Sequence, residues 1–364
     1  VKILSTPRLT VRLGAVRRNY ERLAKTAAPA KCGAAVKANG YGLGAVPVSR
    51  TLASVGCTEF FVASVAEGIE IRQVLPDVNL NVFNGAMPGT IDDLVAHRLT
   101  PLVISLEQLT IWRQAAKNAG EMLRVGLHID TGMRRTGLQV NEIEAIAEDD
   151  RLLAGMEIRH VLSHLASADE VDNNQSEIQL AEFERAIGVL PAATLSLANS
   201  AGMHRGPEYH FDLVRPGVSI YGGAPFPGKP NPMEHAVVLE APMMQIYDVH
   251  PGDRVGYGAT YEVVHPARHA VLALGYGDGF LRSSSNSGRV WVAGVECPIV
   301  GRVSMDLTII DVTALPVANL ELGAAVEVMG SNRLVDDVAA DAGTIAHELL
   351  TDLGGRYEVV YEDD

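Results

Sequence analysis

The sequence predicts a (β/α)8 barrel of about 230 residues, followed by a smaller, mostly β domain. Three observations predict it. Up to about Lys229, short apolar runs alternate with longer stretches of helical periodicity, the pattern of a parallel sheet with helices outside. The apolar runs number eight, the strand count of a closed barrel. Beyond Lys229 the pattern changes to short β-branched runs separated by turns. An open doubly wound sheet shares the alternation; the strand count and the length favour the barrel.

In chain order, Val1–Leu13 is strand-like and free to pair with the second domain. The barrel strands are expected at Gly33–Lys37, Glu59–Ala63, Asn79–Phe83, Pro101–Ser105, Leu123–Ile129, Met156–Ser163, Thr194–Ala198 and Phe211–Val214. The clearest helices are Ala15–Ala27, Val65–Leu75, Leu106–Ala119, Asn141–Glu148 and Gln175–Val189. Pro225, Pro227, Pro230 and Pro232 cluster with Gly222, Gly223 and Gly228 and mark a linker or domain edge. Strands follow at Val237–Val249, His269–Leu274, Arg289–Val292, Cys297–Val300, Leu307–Val312 and Ala325–Met329, with one late helix over Val335–Leu353. The expected division is residues 1–13 as a strand on the β domain, 14–230 as the barrel and 231–364 as the β-rich domain.

Composition narrows the function. The chain has 364 residues, 47% hydrophobic and 20% charged, as in a globular protein with a substantial core. Its formal net charge of −14 argues against a broad nucleic-acid surface, though not against a local site for one phosphate. No apolar run approaches the roughly 18 residues that span a bilayer. Cys32, Cys57 and Cys297 are scattered and odd in number, with neither a disulfide framework nor a metal spacing. With no apolar signal-peptide core in the opening residues, the expected location is the cytoplasm.

In a barrel, polar residues at the C-terminal ends of strands are the chemistry candidates. Strand one ends in Lys37. A lysine after Gly-Ala-Ala-Val is either a snorkelling edge residue or a desolvated amine of lowered pKa, suited to forming a Schiff base. Ser200 after strand seven and Gly217-Val218 after strand eight suit either ordinary turns or the phosphate site that recurs there. His164 and Arg215 lie at neighbouring strand tips. A lone histidine is usually structural and a buried arginine is usually paired. A Schiff-base lysine together with a phosphate pocket suggests pyridoxal 5'-phosphate.

Ordered motifs then carry a resemblance over nearly the whole chain. They are Ala35-Val36-Lys37-Ala38-Asn39-Gly40-Tyr41-Gly42, Asp130-Thr131-Gly132-Met133-Arg134-Arg135-Thr136-Gly137, Ser163-His164, Ala198-Asn199-Ser200-Ala201 and Val214-Arg215-Pro216-Gly217-Val218. The second domain adds Val255-Gly256-Tyr257-Gly258-Ala259-Thr260-Tyr261, Gly275-Tyr276-Gly277-Asp278-Gly279 and Gly301-Arg302-Val303-Ser304-Met305-Asp306. In this order they resemble the alanine racemase family of fold-type III pyridoxal phosphate enzymes.

The resemblance implies roles. Lys37 would hold the cofactor covalently and act as base on one face of the amino-acid substrate. Tyr257 would act on the other face, from the partner subunit of a head-to-tail homodimer. Arg135 would hold the cofactor's phenolate oxygen and the substrate carboxylate, and Arg215 would meet the pyridine nitrogen. Tyr41, Ser200, Gly217 and Val218 would bind the phosphate, with His164 and Asn199 completing the cofactor site. Tyr276 and Met305 would shape a narrow entrance, favouring alanine and then serine. A tyrosine's pKa near 10 makes it a poor base at neutral pH, so a Tyr257–His164–Arg215 chain would assist it. No metal is implied. The product D-alanine would serve peptidoglycan synthesis.

Two positions depart from the family pattern. Many members carry a carbamylated lysine where this chain has His128, so Arg135 needs another orientation. Tyr357 is offset from the phosphate-binding tyrosine that some members place near the C-terminus. The rival enzyme, a decarboxylase of the same fold type, typically has Glu-Pro-Gly-Arg where this chain has Arg215-Pro216-Gly217-Val218. A broad-specificity racemase is a further alternative. A barrel-only pyridoxal phosphate carrier lacks the second domain.

Overall fold

A computed structural model describes residues 2–364. They form two compact units. One comprises the chain up to Val16, Tyr221–Ala224 and Pro232–Asp364; the other comprises Arg17–Ile220 and Pro225–Asn231.

The larger unit is the barrel. Seven parallel strands pair in sequence order, beginning with Ala34–Ala35, Glu59–Val62, Asn79–Val82 and Thr100–Val103 and continuing through Leu123–His128, Met156–Leu162 and Thr194–Ser196. Strand eight, Leu213–Val214, pairs in parallel with Lys31–Cys32, the first half of strand one. Its neighbouring amides also reach strand seven: Asp212 N donates to Leu195 O (3.1 Å) and Arg215 N to Ala198 O (2.9 Å). These bonds close the ring.

The interior follows barrel packing. Phe61, Leu102, Leu162 and Leu213 form one buried cluster. They come from strands two, four, six and eight, so one layer is filled by alternate strands. Phe83 stacks on Phe61 at 5.6 Å between ring centroids. Strand one is interrupted at Gly33, where a Cβ would meet the Phe61 ring at 2.9 Å and the Glu59 carbonyl at 3.0 Å. Outside, Ser64 caps the helix Val65–Val74 and Ser105 caps Leu106–Ala119, each side chain accepting an N–H of the first turn.

Several expected boundaries move. Strand one stops at Ala35, so Lys37 lies beyond the strand, in the turn that follows. Strand six stops at Leu162, one residue before Ser163. The helices Ala45–Ser54 and Ile91–Ala96 were not among those expected.

The smaller unit is built on the long strand Val237–Val249. It pairs antiparallel with Arg8–Arg12, Ala325–Met329 and Ala267–Leu272. Arg8–Arg12 pairs in parallel with Glu358–Glu362, a strand the sequence reading did not anticipate. The expected late helix is two helices, Val335–Asp341 and Ala346–Asp352, parted by Gly343 at φ +69°.

Candidate active site

Lys37 opens a short turn in which the next four residues are left-handed. The φ values are +53° at Ala38, +54° at Asn39, +62° at Gly40 and +55° at Tyr41. Three of them carry a Cβ, and each such residue costs about 1–2 kcal/mol in this region. Local bonds hold the turn: Gly40 N to Val36 O (2.9 Å), Gly42 N to Ala38 O (2.8 Å) and Ala45 N to Asn39 Oδ1 (3.0 Å). The result lifts the Lys37 amine off the strand and leaves its Nζ 5.6 Å from the centre of the Phe83 ring. Burial lowers the amine's pKa, Arg135 lowers it further, and Glu67 opposes both.

Cationic groups gather at the same rim. Arg215, one residue past strand eight, is 4% exposed. Its guanidinium donates to Ser196 Oγ and to the Ser163 carbonyl and lies 5.8 Å from the Phe61 ring centre. Among the described residues no carboxylate pairs with it. Burial lowers its pKa to about 9, so it stays charged at neutral pH. His164 is pushed well below the usual histidine range by burial, then by Arg215, Arg135, His128 and Lys37. Its carbonyl is held by Gln179 Nε2 at 2.8 Å. The expected His164–Arg215 link is not formed: among the described residues no hydrogen bond joins the His164 ring to Arg215. A histidine kept neutral by its surroundings also brings no positive charge to a tyrosine.

Arg135 sits on an exposed loop that Asp130 organises. Asp130 Oδ1 accepts from Gly132 N (2.9 Å) and Arg134 N (3.0 Å), and its Oδ2 accepts from Gln139 Nε2 (3.2 Å). The loop folds back as Leu138 N bonds His128 O at 2.7 Å. Arg135 itself makes no ion pair among the described residues, and so has its guanidinium available.

Strands seven and eight end in a small cradle. Ser200 Oγ accepts from Gly217 N (2.9 Å) and Ser219 N (3.4 Å). The space a Cβ at Gly217 would fill is taken by the Tyr41 hydroxyl. Val218 opens the short turn Val218–Tyr221, and the buried Ser219 hydroxyl has no hydrogen-bond partner among the described residues. Asn199 points its Oδ1 to Gly202 N at 2.9 Å, shaping the following turn. Gly217→Ala must therefore displace Tyr41. If this cradle holds the cofactor phosphate, as the resemblance implies, the expected result is a rise of about tenfold or more in the Kd for pyridoxal phosphate, read by titrating the apoprotein's fluorescence.

The three remaining candidates belong to the smaller unit. Tyr257 is 72% exposed, Met305 55% and Tyr276 42%, high values for large apolar side chains. Tyr257 follows Gly256 (φ +70°) and precedes left-handed Gly258 and Ala259, a turn that leaves its ring projecting. The Tyr276 and Met305 loops are stitched together: Tyr276 N donates to Ser304 O (3.0 Å) and Gly277 N to Met305 O (2.8 Å). Arg356 grips both, donating to Asp278 Oδ1 (2.9 Å) and Asp306 Oδ1 (2.8 Å). The Tyr357 hydroxyl donates to the Asp278 carbonyl within the same unit.

Comparison with known proteins decides the family. Residues 11–225 match the alanine racemase N-terminal domain and residues 236–361 the alanine racemase C-terminal domain. The chain belongs to the alanine racemase family. It is 44% identical to a catabolic alanine racemase of Mesorhizobium japonicum over 97% of this chain and 92% of that one. It is 42% identical to the alanine racemase of Rickettsia bellii over 90% of this chain and 81% of that one. The alanine racemase of Bartonella henselae, solved with covalently bound pyridoxal phosphate, superposes with a TM-score of 0.94 at 35% identity, covering 98% of this chain and all (100%) of that one.

His128 is the position at which the sequence is expected to depart from the family pattern. It is buried, and its Nδ1 has no hydrogen-bond partner among the described residues. Burial, then Arg215 and Arg135, bring its pKa down to about 4. The ring is neutral in the fold at pH 7. As pH falls from about 6.5 to 4, the unfolded chain takes up a proton that the fold refuses, so stability is lost across that window. The expected loss from this one group is on the order of 3 kcal/mol. Urea unfolding from pH 7 to pH 4 checks it; His128→Asn should flatten the curve.

Sequence reasoning missed Glu67, Gln139, Gln179 and Arg356. Only Glu67 carried a readable signal, the Ser64-x-x-Glu67 spacing of a capping box.

Proposed function

We propose that this protein interconverts L-alanine and D-alanine with pyridoxal 5'-phosphate as cofactor, Lys37 and Tyr257 exchanging the Cα proton on opposite faces. The observation that carries the reading is the fit of the barrel rim to that cofactor. A buried, charged Arg215 has no carboxylate partner among the described residues, a lysine of depressed pKa lies on the same rim, and Ser200, the Gly217 amide and the Tyr41 hydroxyl are gathered at the ends of strands seven and eight. These three features match the ring nitrogen, the aldehyde and the phosphate of pyridoxal phosphate. Bound there, the cofactor supplies the electron sink that acidifies an amino acid's Cα–H.

The chain's residues do the rest. Lys37 would hold the cofactor and then, once substrate takes its place, carry a proton on its Nζ. Arg135, exposed and without an ion pair, would receive the substrate carboxylate. Arg215 offers donors but no readily released proton, which favours racemisation over decarboxylation. Ser200, Gly217, Val218 and Tyr41 would hold the phosphate, flanked by His164 and Asn199.

Two bases on opposite faces need no reorientation of the substrate. Tyr257 would come from the partner subunit of a homodimer, whose active site is thus shared. The exposure of Tyr257, Tyr276 and Met305 supports this, because a protein surface rarely displays such residues together without covering them. Tyr276 and Met305 would narrow the entrance to a small side chain. Among the described residues no helix is long and apolar enough to cross a membrane. Three buried, free cysteines suit the bacterial cytoplasm, where D-alanine would feed peptidoglycan synthesis.

The test is conversion of L-alanine by the protein loaded with pyridoxal phosphate, with D-alanine quantified by chiral chromatography. Equal final amounts of both enantiomers are expected. Release of ethylamine instead would favour a decarboxylase.

A further inference from the structure

We infer that Glu67 is a positioning residue, which holds the Lys37 amine in place by gripping the amide of Ala38. The inference rests on the reading of Lys37 as cofactor lysine and base. Glu67 lies in the first turn of the helix after strand two, where Ser64 is the N-cap. Its Oε2 accepts from Ala63 N (2.7 Å) and Ser64 N (3.2 Å), which is ordinary capping. Its Oε1 does something capping does not require. It accepts from Ala38 N at 2.8 Å, across to the neighbouring barrel loop.

Ala38 is the first of the four left-handed residues after Lys37. A run with three non-glycine members cannot hold itself, because each prefers another backbone region. The bonds from Gly40, Gly42 and Ala45 close inside the 36–45 segment. The Ala38–Glu67 bond ties the turn to the end of strand two, immediately beside Lys37. One carboxylate therefore links two adjacent strand ends, and its charge acts on the amine.

The charged groups that shift Lys37 are Arg135 and Glu67, and Lys37 in turn acts on the buried His164. Arg135 and Glu67 act in opposite directions. Removing the Glu67 charge leaves Arg135 unopposed, so the amine should lose its proton at lower pH.

The experiment compares Glu67→Gln, Glu67→Asp and Ser64→Ala with the parent protein. Each folded apoprotein is titrated by the pH dependence of Lys37 labelling with an amine-reactive reagent, quantified by peptide mass spectrometry. Glu67→Gln should move that titration to lower pH and, in the loaded enzyme, lower kcat on the order of ten- to a hundredfold, KM changing less. Glu67→Asp keeps the charge but shortens the reach, so it should lower kcat with the titration close to the parent's. Ser64→Ala weakens the cap alone and should leave kcat within about twofold of the parent. A titration and kcat unmoved in both Glu67 variants, with only thermal stability reduced, would overturn the inference. Should Glu67→Gln fail to fold, Glu67→Asp with parental kcat overturns it equally. Failure of the underlying reading has a different signature: a racemase that survives Lys37→Ala.

Discussion

Lys37→Ala is expected to slow racemisation by about a thousandfold or more in both directions. The reason is that one side chain has two tasks. On the proposed mechanism it would hold the cofactor and would serve as base on one face of the substrate. Its amine is prepared for both by partial burial and by Arg135, which lower its pKa. Burial alone could reflect a snorkelling lysine, but the left-handed turn at Ala38–Tyr41 is a costly way to place one. Initial rates from L-alanine and from D-alanine, measured separately, check the result. Added methylamine should restore part of the activity, because a free amine can replace the missing base. A variant with parental rates would remove Lys37 from the mechanism.

Arg215→Glu is expected to lower racemisation by about a hundredfold or more and to raise pyruvate release from alanine. Arg215 is buried, charged at neutral pH and, among the described residues, without a carboxylate partner; its guanidinium donates to Ser196 and the Ser163 carbonyl. On the proposed reading it would donate hydrogen bonds to the cofactor's ring nitrogen without readily giving up a proton there. A carboxyl at this position would give one up. That change should favour loss of the amino group over clean return of the Cα proton. A lactate dehydrogenase assay reads the pyruvate. Arg215→Lys keeps the charge and should leave pyruvate near the parental level. An unchanged pyruvate rate in Arg215→Glu would sink this account of Arg215.

The barrel was legible because its strands are apolar runs with helical segments between them, and the layer of Phe61, Leu102, Leu162 and Leu213 rests on that pattern. Lys37, Ser200 and Arg215 were singled out because each was expected at or just beyond a strand end, whereas Arg135, on the loop after strand five, entered through the family resemblance. The turn around Lys37 was not. Its left-handed residues include Ala38 and Tyr41, whose side chains give no hint of that conformation, and part of its support comes from Glu67 on the next loop. Ala45–Ser54 begins beside Gly44 and carries Pro47 in its first turn, where proline is tolerated but reads as a loop. Glu358–Glu362 is largely exposed, so no alternation marks it as a strand; backbone pairing to Arg8–Arg12 creates it. The Asp278–Arg356 pair joins residues far apart in sequence, and neither position reveals the other.

The most direct test is proton NMR of L-alanine in heavy water with the pyridoxal phosphate-loaded protein. Two bases on opposite faces predict loss of the Cα–H signal together with decay of optical rotation to zero. In Tyr257→Phe, run separately with L-alanine and D-alanine, Cα–H exchange should persist only for the enantiomer whose proton faces Lys37, while inversion falls sharply. A Cα–H signal that persists with the parent protein would contradict the racemase account at its centre.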